Sequence, residues 1–329
     1  MAGVPDGCLA GMCGATVRGI KSAKPVKQAA LMAASNIIQP AHRIEAHRAT
    51  VGDGLAIRRA LPTVQRRMIG AWCFLDHIGP AAMASGPGLR VGPHPHIGLQ
   101  TVTWLLEGEI LHRDSLGTVQ NIRPGQLNLM TSGRGISHSE ESPAARPPLL
   151  HGAQLWIALP DHQRYCEPGF AHHAGLPLIE RGALRMTLLA GEFEGERSPA
   201  QIYTPLVGLD INATSALQAV LTLRPDFEYG ALVLEGEVRL GEESLQPGTL
   251  LYLPPQRDQL ALKTTAAARL LLLGGAPFAE GILMWWNFVG RSKDEIVQAT
   301  RDWNAGRNFG EVQGYDGARL VAPMPPWAA

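Results

Sequence analysis

"LLEGEI" at residues 105–110 returns as "VLEGEV" at 233–238, and the turn "RPGQL" at 123–127 returns as "QPGTL" at 246–250. The order is the same in both places, so the chain reads as two copies of one module. Around these elements, short apolar runs are cut by Gly, Pro, Asn and Asp, with few helical periods. That pattern belongs to a β sandwich or barrel. Five more residues separate the two elements in the first copy than in the second, an insertion of the kind that collects in rim loops. Glu107-Gly108 is expected to turn a hairpin.

Working outward, "LPDHQRYCEPGFAHH" and the stretch to about Ser198 carry too many breakers for a long helix and are expected to bridge the modules. "SKDEIVQATRDWNAG", 292–306, is the best helix: Ser292 and Glu295 form a capping box, Ile296, Ala299 and Trp303 share a face, and Gly306 suits the stop. Residues 1–44 hold one acid, Asp6, and five basic residues without periodicity, and are expected to be a disordered lead-in.

The 329 residues suit two domains of ordinary size. Lys plus Arg and Asp plus Glu stand at 29 each, which gives no global electrostatic support for binding nucleic acid or an acidic membrane. Arg58-Arg59 and Arg66-Arg67 are expected on solvated faces. Cysteines at 8, 13, 73 and 166 are too few and scattered for a disulfide framework, so a reducing cytoplasm is the expected compartment. There is no apolar run long enough for a membrane helix.

"PHPHIG", 93–98, then puts a proline between two of only eleven histidines. Residues two apart on an extended segment share a face, and proline favours extended geometry before it. His94 and His96 should project side by side. Alone, this pair fits a structural role as well as a metal site. Thirteen residues beyond Gly125, however, "SHSE" places His138 and Glu140 at the same spacing. Two such pairs on two strands of one sheet could converge on a cation, and three imidazoles with a carboxylate suit a borderline divalent transition metal rather than calcium or magnesium. The repeat supplies a control: counting from the shared motifs, the second copy has Thr222 and Arg224, then Ala261 and Lys263, where the first has its histidines and glutamate. The second module keeps the scaffold and lacks the ligands.

"GPHPHIGLQTVTWLLEGEILHRDS", followed by "RPGQLNLMTSGRGISHSE" and preceded by "RRALPTVQRRMIGAWCFLDHIGP", resembles the pirin family of bicupins over roughly residues 45–300. The resemblance implies an all-β fold of two cupin-type β-barrels with a short C-terminal helix. The metal-binding barrel would span 45–170, a second barrel without ligands 171–290, and helix and tail 291–329. It implies one iron(II) in the first barrel, held by His94, His96, His138 and Glu140. Where many pirins carry Glu, this chain has Gln100. Four protein ligands leave two open positions on a six-coordinate metal. The activity implied is oxidative 2,3-cleavage of quercetin-type flavonols by dioxygen, with Glu140 as ligand or nearby base. Pirins are also implicated as iron-dependent, redox-responsive regulators that bind a protein partner. By proximity to the ligands, Gln100, Met130 and Arg134 are expected near the pocket.

Other chemistry finds little support. Gly133-Arg134-Gly135 lacks a nucleotide-binding pattern, and no GxSxG occurs. Cys73 reads as a buried small hydrophobe. His77, His112, His151 and His172-His173 read as surface or structural histidines, and Trp285-Trp286 as packing at the module junction.

Overall fold

The computed structural model describes residues 40–328. In the first half, strands run in the order β1 (His42–Glu45), β2 (His47–Val51), β3 (Leu55–Leu61), β4 (Trp72–Ala82), β5 (Arg90–His96) and β6 (Leu99–Glu107). They continue as β7 (Ile110–Asp114), β8 (Val119–Ile122), β9 (Leu127–Thr131), β10 (Ile136–Glu141), β11 (Leu149–Ala158) and β12 (Gly169–His173). A seven-stranded sheet, β12-β9-β6-β11-β4-β3-β2, is accompanied by a four-stranded sheet, β5-β10-β7-β8.

The second half repeats this plan. Its strands are β13 (Leu178–Arg181), β14 (Leu184–Phe193), β15 (Glu196–Arg197), β16 (Leu206–Ala213), β17 (Leu217–Thr222) and β18 (Glu228–Glu235). After them come β19 (Val238–Leu240), β20 (Glu243–Leu245), β21 (Thr249–Leu253), β22 (Gln259–Thr264) and β23 (Ala268–Gly275). The large sheet is β1-β21-β18-β23-β16-β14-β13 with β15 on β14, and the small one is β17-β22-β19-β20. A hairpin of β24 (Leu283–Trp285) and β25 (Phe288–Gly290) leads to helix α1 (Lys293–Asn304).

Strand alternation sorts each large sheet into two faces. From β6, Val102 and Trp104 join a core with Leu232, Leu250 and Leu271 of the other half, so the two large sheets pack against each other. Indole N–H groups tie this seam: Trp72 donates to the carbonyls of Val207 and Gly274, and Trp104 to Asp210 at 3.0 Å. The opposite face of β6, with Thr101 and Thr103, turns toward the small sheet.

Three sequence expectations change here. The segment around Glu107-Gly108 is a corner, not a hairpin, because β6 pairs with β9 and β11 while β7 pairs with β8 and β10. Gly108 has φ +94°, and a Cβ there would lie 2.6 Å from the Leu149 carbonyl oxygen, so the chain can cross to the other sheet only without a side chain. The expected bridge is partly strand: β12 pairs with β9 in the first half, and β13 with β14 in the second. The disordered lead-in falls outside the described residues up to 39, but His42–Glu45 form a strand on β21, where Ile44 is buried against the inter-sheet core.

Helix α1 follows its sequence. Ser292 caps it by accepting from Glu295 N–H, and Ile296, Ala299 and Trp303 are buried. The reciprocal glutamate bond differs in one respect, since Glu295 Oε2 accepts from Arg291 N–H at 2.7 Å, one residue before the cap.

Candidate metal centre

The extended run at Pro93–His96 puts His94 and His96 on one face of β5, and β10 pairs with it so that His138 stands opposite His94. One nitrogen from each ring lies within 4.8 Å of the others. His96 Nε2 and His138 Nε2 are 3.0 Å apart. All three rings are buried, at 6%, 1% and 1% exposed for His94, His96 and His138. Backbone contacts decide two of the tautomers. His94 Nδ1 lies 2.9 Å from the Gly92 carbonyl, and His96 Nδ1 lies 3.0 Å from that of Asn287. A carbonyl can only accept, so each Nδ1 carries the proton and each Nε2 presents a bare lone pair to the centre. His138 Nδ1 faces His112 Nδ1 at 3.3 Å.

Burial lowers the His94 pKa to about 4 and pulls those of His96 and His138 well below the usual imidazole value. The rings are therefore neutral, as ligation requires. Buried imidazole lone pairs converging with no donor between them fit a cation, and nitrogen donors suit a transition metal. His94, His96 and His138 form a site for a divalent metal ion.

A β-bulge separates His138 from Glu140, which pairs with Val91 on one side and His112 on the other. Glu140 lines the same cavity, outside the grouping of three nitrogens. Burial raises its pKa, opposed by His112 and by the Thr103 hydroxyl 3.5 Å from Oε1.

The cavity holds about 340 Å³, at the lower end for small-molecule pockets. Two registered rows cross the seven-stranded sheet, and Phe74 and Trp156 of the first with Arg59, Asp76 and Gln154 of the second line the cavity. Phe74, Trp156, Thr101, Met130 and Phe170 align in one row, and Arg59, Asp76, Gln154, Thr103, Asn128 and His172 in the next polar one. Phe74 and Trp156 stack at 4.0 Å between centroids, His96 meets Trp156 edge-on, and the Arg59 guanidinium covers Phe74. Asp76 accepts two bonds of 2.7 Å from Arg59. Ile78, Leu89, Val91 and Ile110 make an apolar region, and Trp286, Asn287 and Leu320 come from the C-terminal segment. Leu320 N–H donates to the Pro93 carbonyl at 2.9 Å, tying the tail to the metal-bearing strand.

Comparison with known proteins agrees with this architecture. A profile of the Pirin family matches residues 54–157, and one of the Pirin C-terminal cupin domain matches 208–309. A Pseudomonas aeruginosa protein provisionally named quercetin 2,3-dioxygenase is 53% identical over 287 residues, covering 87% of this chain and 90% of that one. The chain belongs to the pirin family. A pirin-like protein of Caulobacter vibrioides is 39% identical over 80% of this pirin and 92% of its own length. A crystal structure described as quercetin 2,3-dioxygenase from Acinetobacter baumannii superposes with a TM-score of 0.85 at 46% identity, covering 87% of this chain and 96% of that one.

Within this pirin, the residues expected near the pocket lie elsewhere. Gln100 occupies the face of β6 opposite Thr101, and its amide donates to Thr131 and to the Gln201 carbonyl. Met130 is 1% exposed in the row beside Phe170 and does not line the cavity. Arg134 is exposed and pairs with Glu167. Closeness in sequence to a ligand is a poor guide because successive strand residues face opposite ways.

Three contributors escaped the sequence. Trp286, expected as junction packing, lines the cavity, while its neighbour Trp285 packs on Trp327. Arg59 was assigned to a solvated face, although alternation turns one member of any strand dyad inward. His112, read as structural, touches a metal-site ring.

Proposed function

We propose that this pirin is an iron(II)-dependent dioxygenase that cleaves the 2,3-bond of quercetin-type flavonols. The observation that carries the reading is a buried three-histidine site opening on a cavity with a flat aromatic wall and a carboxylate. Similarity to two proteins bearing the name quercetin 2,3-dioxygenase supports it. Bound there, iron would supply Lewis-acid and one-electron chemistry toward a phenolic oxygen and dioxygen.

The chain's own part follows from its side chains. Phe74 and Trp156 offer a stacked face for a planar ring system. Gln154 and the Arg59–Asp76 pair offer donors and acceptors for ring hydroxyls. Glu140 is the fourth ligand or takes the proton of the flavonol 3-hydroxyl on a carboxylate oxygen. Trp286 and Leu320 narrow access for water.

In this reading each half closes as a cupin barrel, with metal binding in 45–170 and none in 171–290. The enzyme would work in the cytoplasm, without contacting nucleic acid. Among the described residues Cys73 and Cys166 are free thiols, and no helix is long and apolar enough to cross a membrane.

The test is oxygen uptake by iron(II)-loaded protein given quercetin, with His96→Ala and Glu140→Ala variants and a metal-content assay. Uptake that both variants lose is the expected result. Full metal occupancy without uptake would sink the dioxygenase reading and favour an iron-dependent, redox-responsive regulator acting through a protein partner.

A further inference from the structure

Two of the three metal-site histidines are oriented by backbone carbonyls; the third is not. His138 Nδ1 meets no carbonyl but another imidazole, His112 Nδ1, at 3.3 Å. By themselves two such nitrogens leave the direction of the hydrogen bond undecided. The deciding group lies one step further out. His112 Nε2 is 3.2 Å from Asp114 Oδ2, and Asp114 Oδ1 accepts from the N–H groups of Leu116 and Thr118 at 2.9 and 3.0 Å.

A carboxylate only accepts, so His112 carries its proton on Nε2 and keeps a lone pair on Nδ1. That lone pair can only receive the proton of His138 Nδ1. His138 Nε2 is then left bare on the side of His94 and His96. We infer that Asp114 and His112 form an orienting chain, Asp114 to His112 to His138, that sets the His138 tautomer for metal binding. His112 and Asp114 are positioning residues, since neither reaches the centre itself.

The chain is held firmly. β7 presents both residues on one face, and β10 sets Asp114 opposite His138 and His112 opposite Glu140. His112 is 3% and Asp114 1% exposed. Phe170 stacks on the His112 ring with centroids 4.5 Å apart. A buried polar chain of this kind has low freedom to turn over, so its polarity reaches the metal face as a fixed arrangement.

This makes Asp114→Asn informative. The bonds from Leu116 and Thr118 keep the new carbonyl oxygen in the Oδ1 position and turn the amide N–H₂ toward His112 Nε2. That nitrogen must now accept, the His112 proton moves to Nδ1, and His138 must carry its own on Nε2, the metal face. The shape is unchanged and the polarity reversed.

The test titrates the metal-free protein with cobalt(II), a probe that needs no flavonol and so stands apart from the proposed activity. Asp114→Asn should raise the cobalt Kd about 10- to 100-fold, with the melting temperature of the metal-free form near that of wild type. Adding His112→Phe, which keeps the stack on Phe170 but frees His138 Nδ1, should recover part of the affinity. Nitrogen-15 NMR of the metal-free protein gives the independent reading: the His138 proton on Nδ1 in wild type and on Nε2 in Asp114→Asn. Unchanged affinity in Asp114→Asn, a double variant no better than the single, or a wild-type His138 protonated on Nε2 would each overturn the inference. If the variant fails to fold, the wild-type spectrum alone decides it.

Discussion

Arg59 and Asp76 are the sharpest case at the scale of single residues. Asp76 is 4% exposed, and burial raises its pKa against the pull of Arg59. Such a carboxylate is tolerable only with its partner in place. Arg59→Met should therefore cost about 3 kcal/mol of stability, because it leaves a buried charge bare. Arg59→Met with Asp76→Leu should recover more than half, because no charge is then stranded. Urea denaturation of the four proteins measures both, and equal losses in single and double variants would show that the pair matters only through packing. The histidines at 94, 96 and 138 were legible because ligands two apart share a face whatever the rest of the chain does. Asp76 was not, since nothing local marks which acid will meet an arginine from the neighbouring strand.

At the scale of elements, parity decides what could be read. The count that matched His138 and Glu140 to Ala261 and Lys263 is one residue off. Strand pairing puts Glu140 opposite His112 and Leu262 opposite Leu240, and His94 opposite His138 as Leu221 stands opposite Leu260. The second-half counterparts are thus Leu221, Leu223, Leu260 and Leu262, all buried, while Thr222, Arg224, Ala261 and Lys263 are exposed. One residue between turn and strand flips every side chain to the other face. Leucine stands in the second half at each position equivalent to His94, His96, His138 and Glu140.

The same alternation turns Asp76 into the cavity and its neighbour His77 away, toward the second half. His77 Nε2 and His151 Nε2 lie 2.8 Å apart, and His151 Nδ1 lies 3.1 Å from Glu235 of β18. Burial, then the charges of His151 and Arg58, lower the His77 pKa to about 3. The unfolded chain takes up a proton near pH 6.5 that the folded chain refuses. This contribution to stability is full above about pH 6.5 and declines as pH falls toward 3. Wild type should lose melting temperature between pH 6.5 and 4 more steeply than His77→Leu. Parallel profiles would mean that the pair does not report the seam between the halves.

For the whole molecule, the two large sheets share one core, so global unfolding should be a single transition even though the three-histidine site lies in the first half. The metal's influence is narrower than that. Its ligands lie on β5 and β10, and the Asn287 carbonyl on His96 extends the link to the hairpin before α1. Metal at a hundredfold over its Kd adds about 2.7 kcal/mol to a state that binds it, and openings that separate β5 from β10 abolish binding. Chelation should therefore speed amide exchange in β5, β10 and residues 286–289. Amides of β16 and β23 that exchange through local openings, with β5 still paired to β10, should keep their rates, whereas any that wait for global unfolding should speed by the same factor, because that opening also loses the metal. The leucines of the second half argue the same way, because a centre filled by side chains has no ligand to lose. Hydrogen exchange with mass spectrometry before and after chelation, well below the melting temperature, reads the map directly. Equal acceleration in β5 and β23 would mean that β23 opens only with the whole fold, so that the metal supports both halves as one unit.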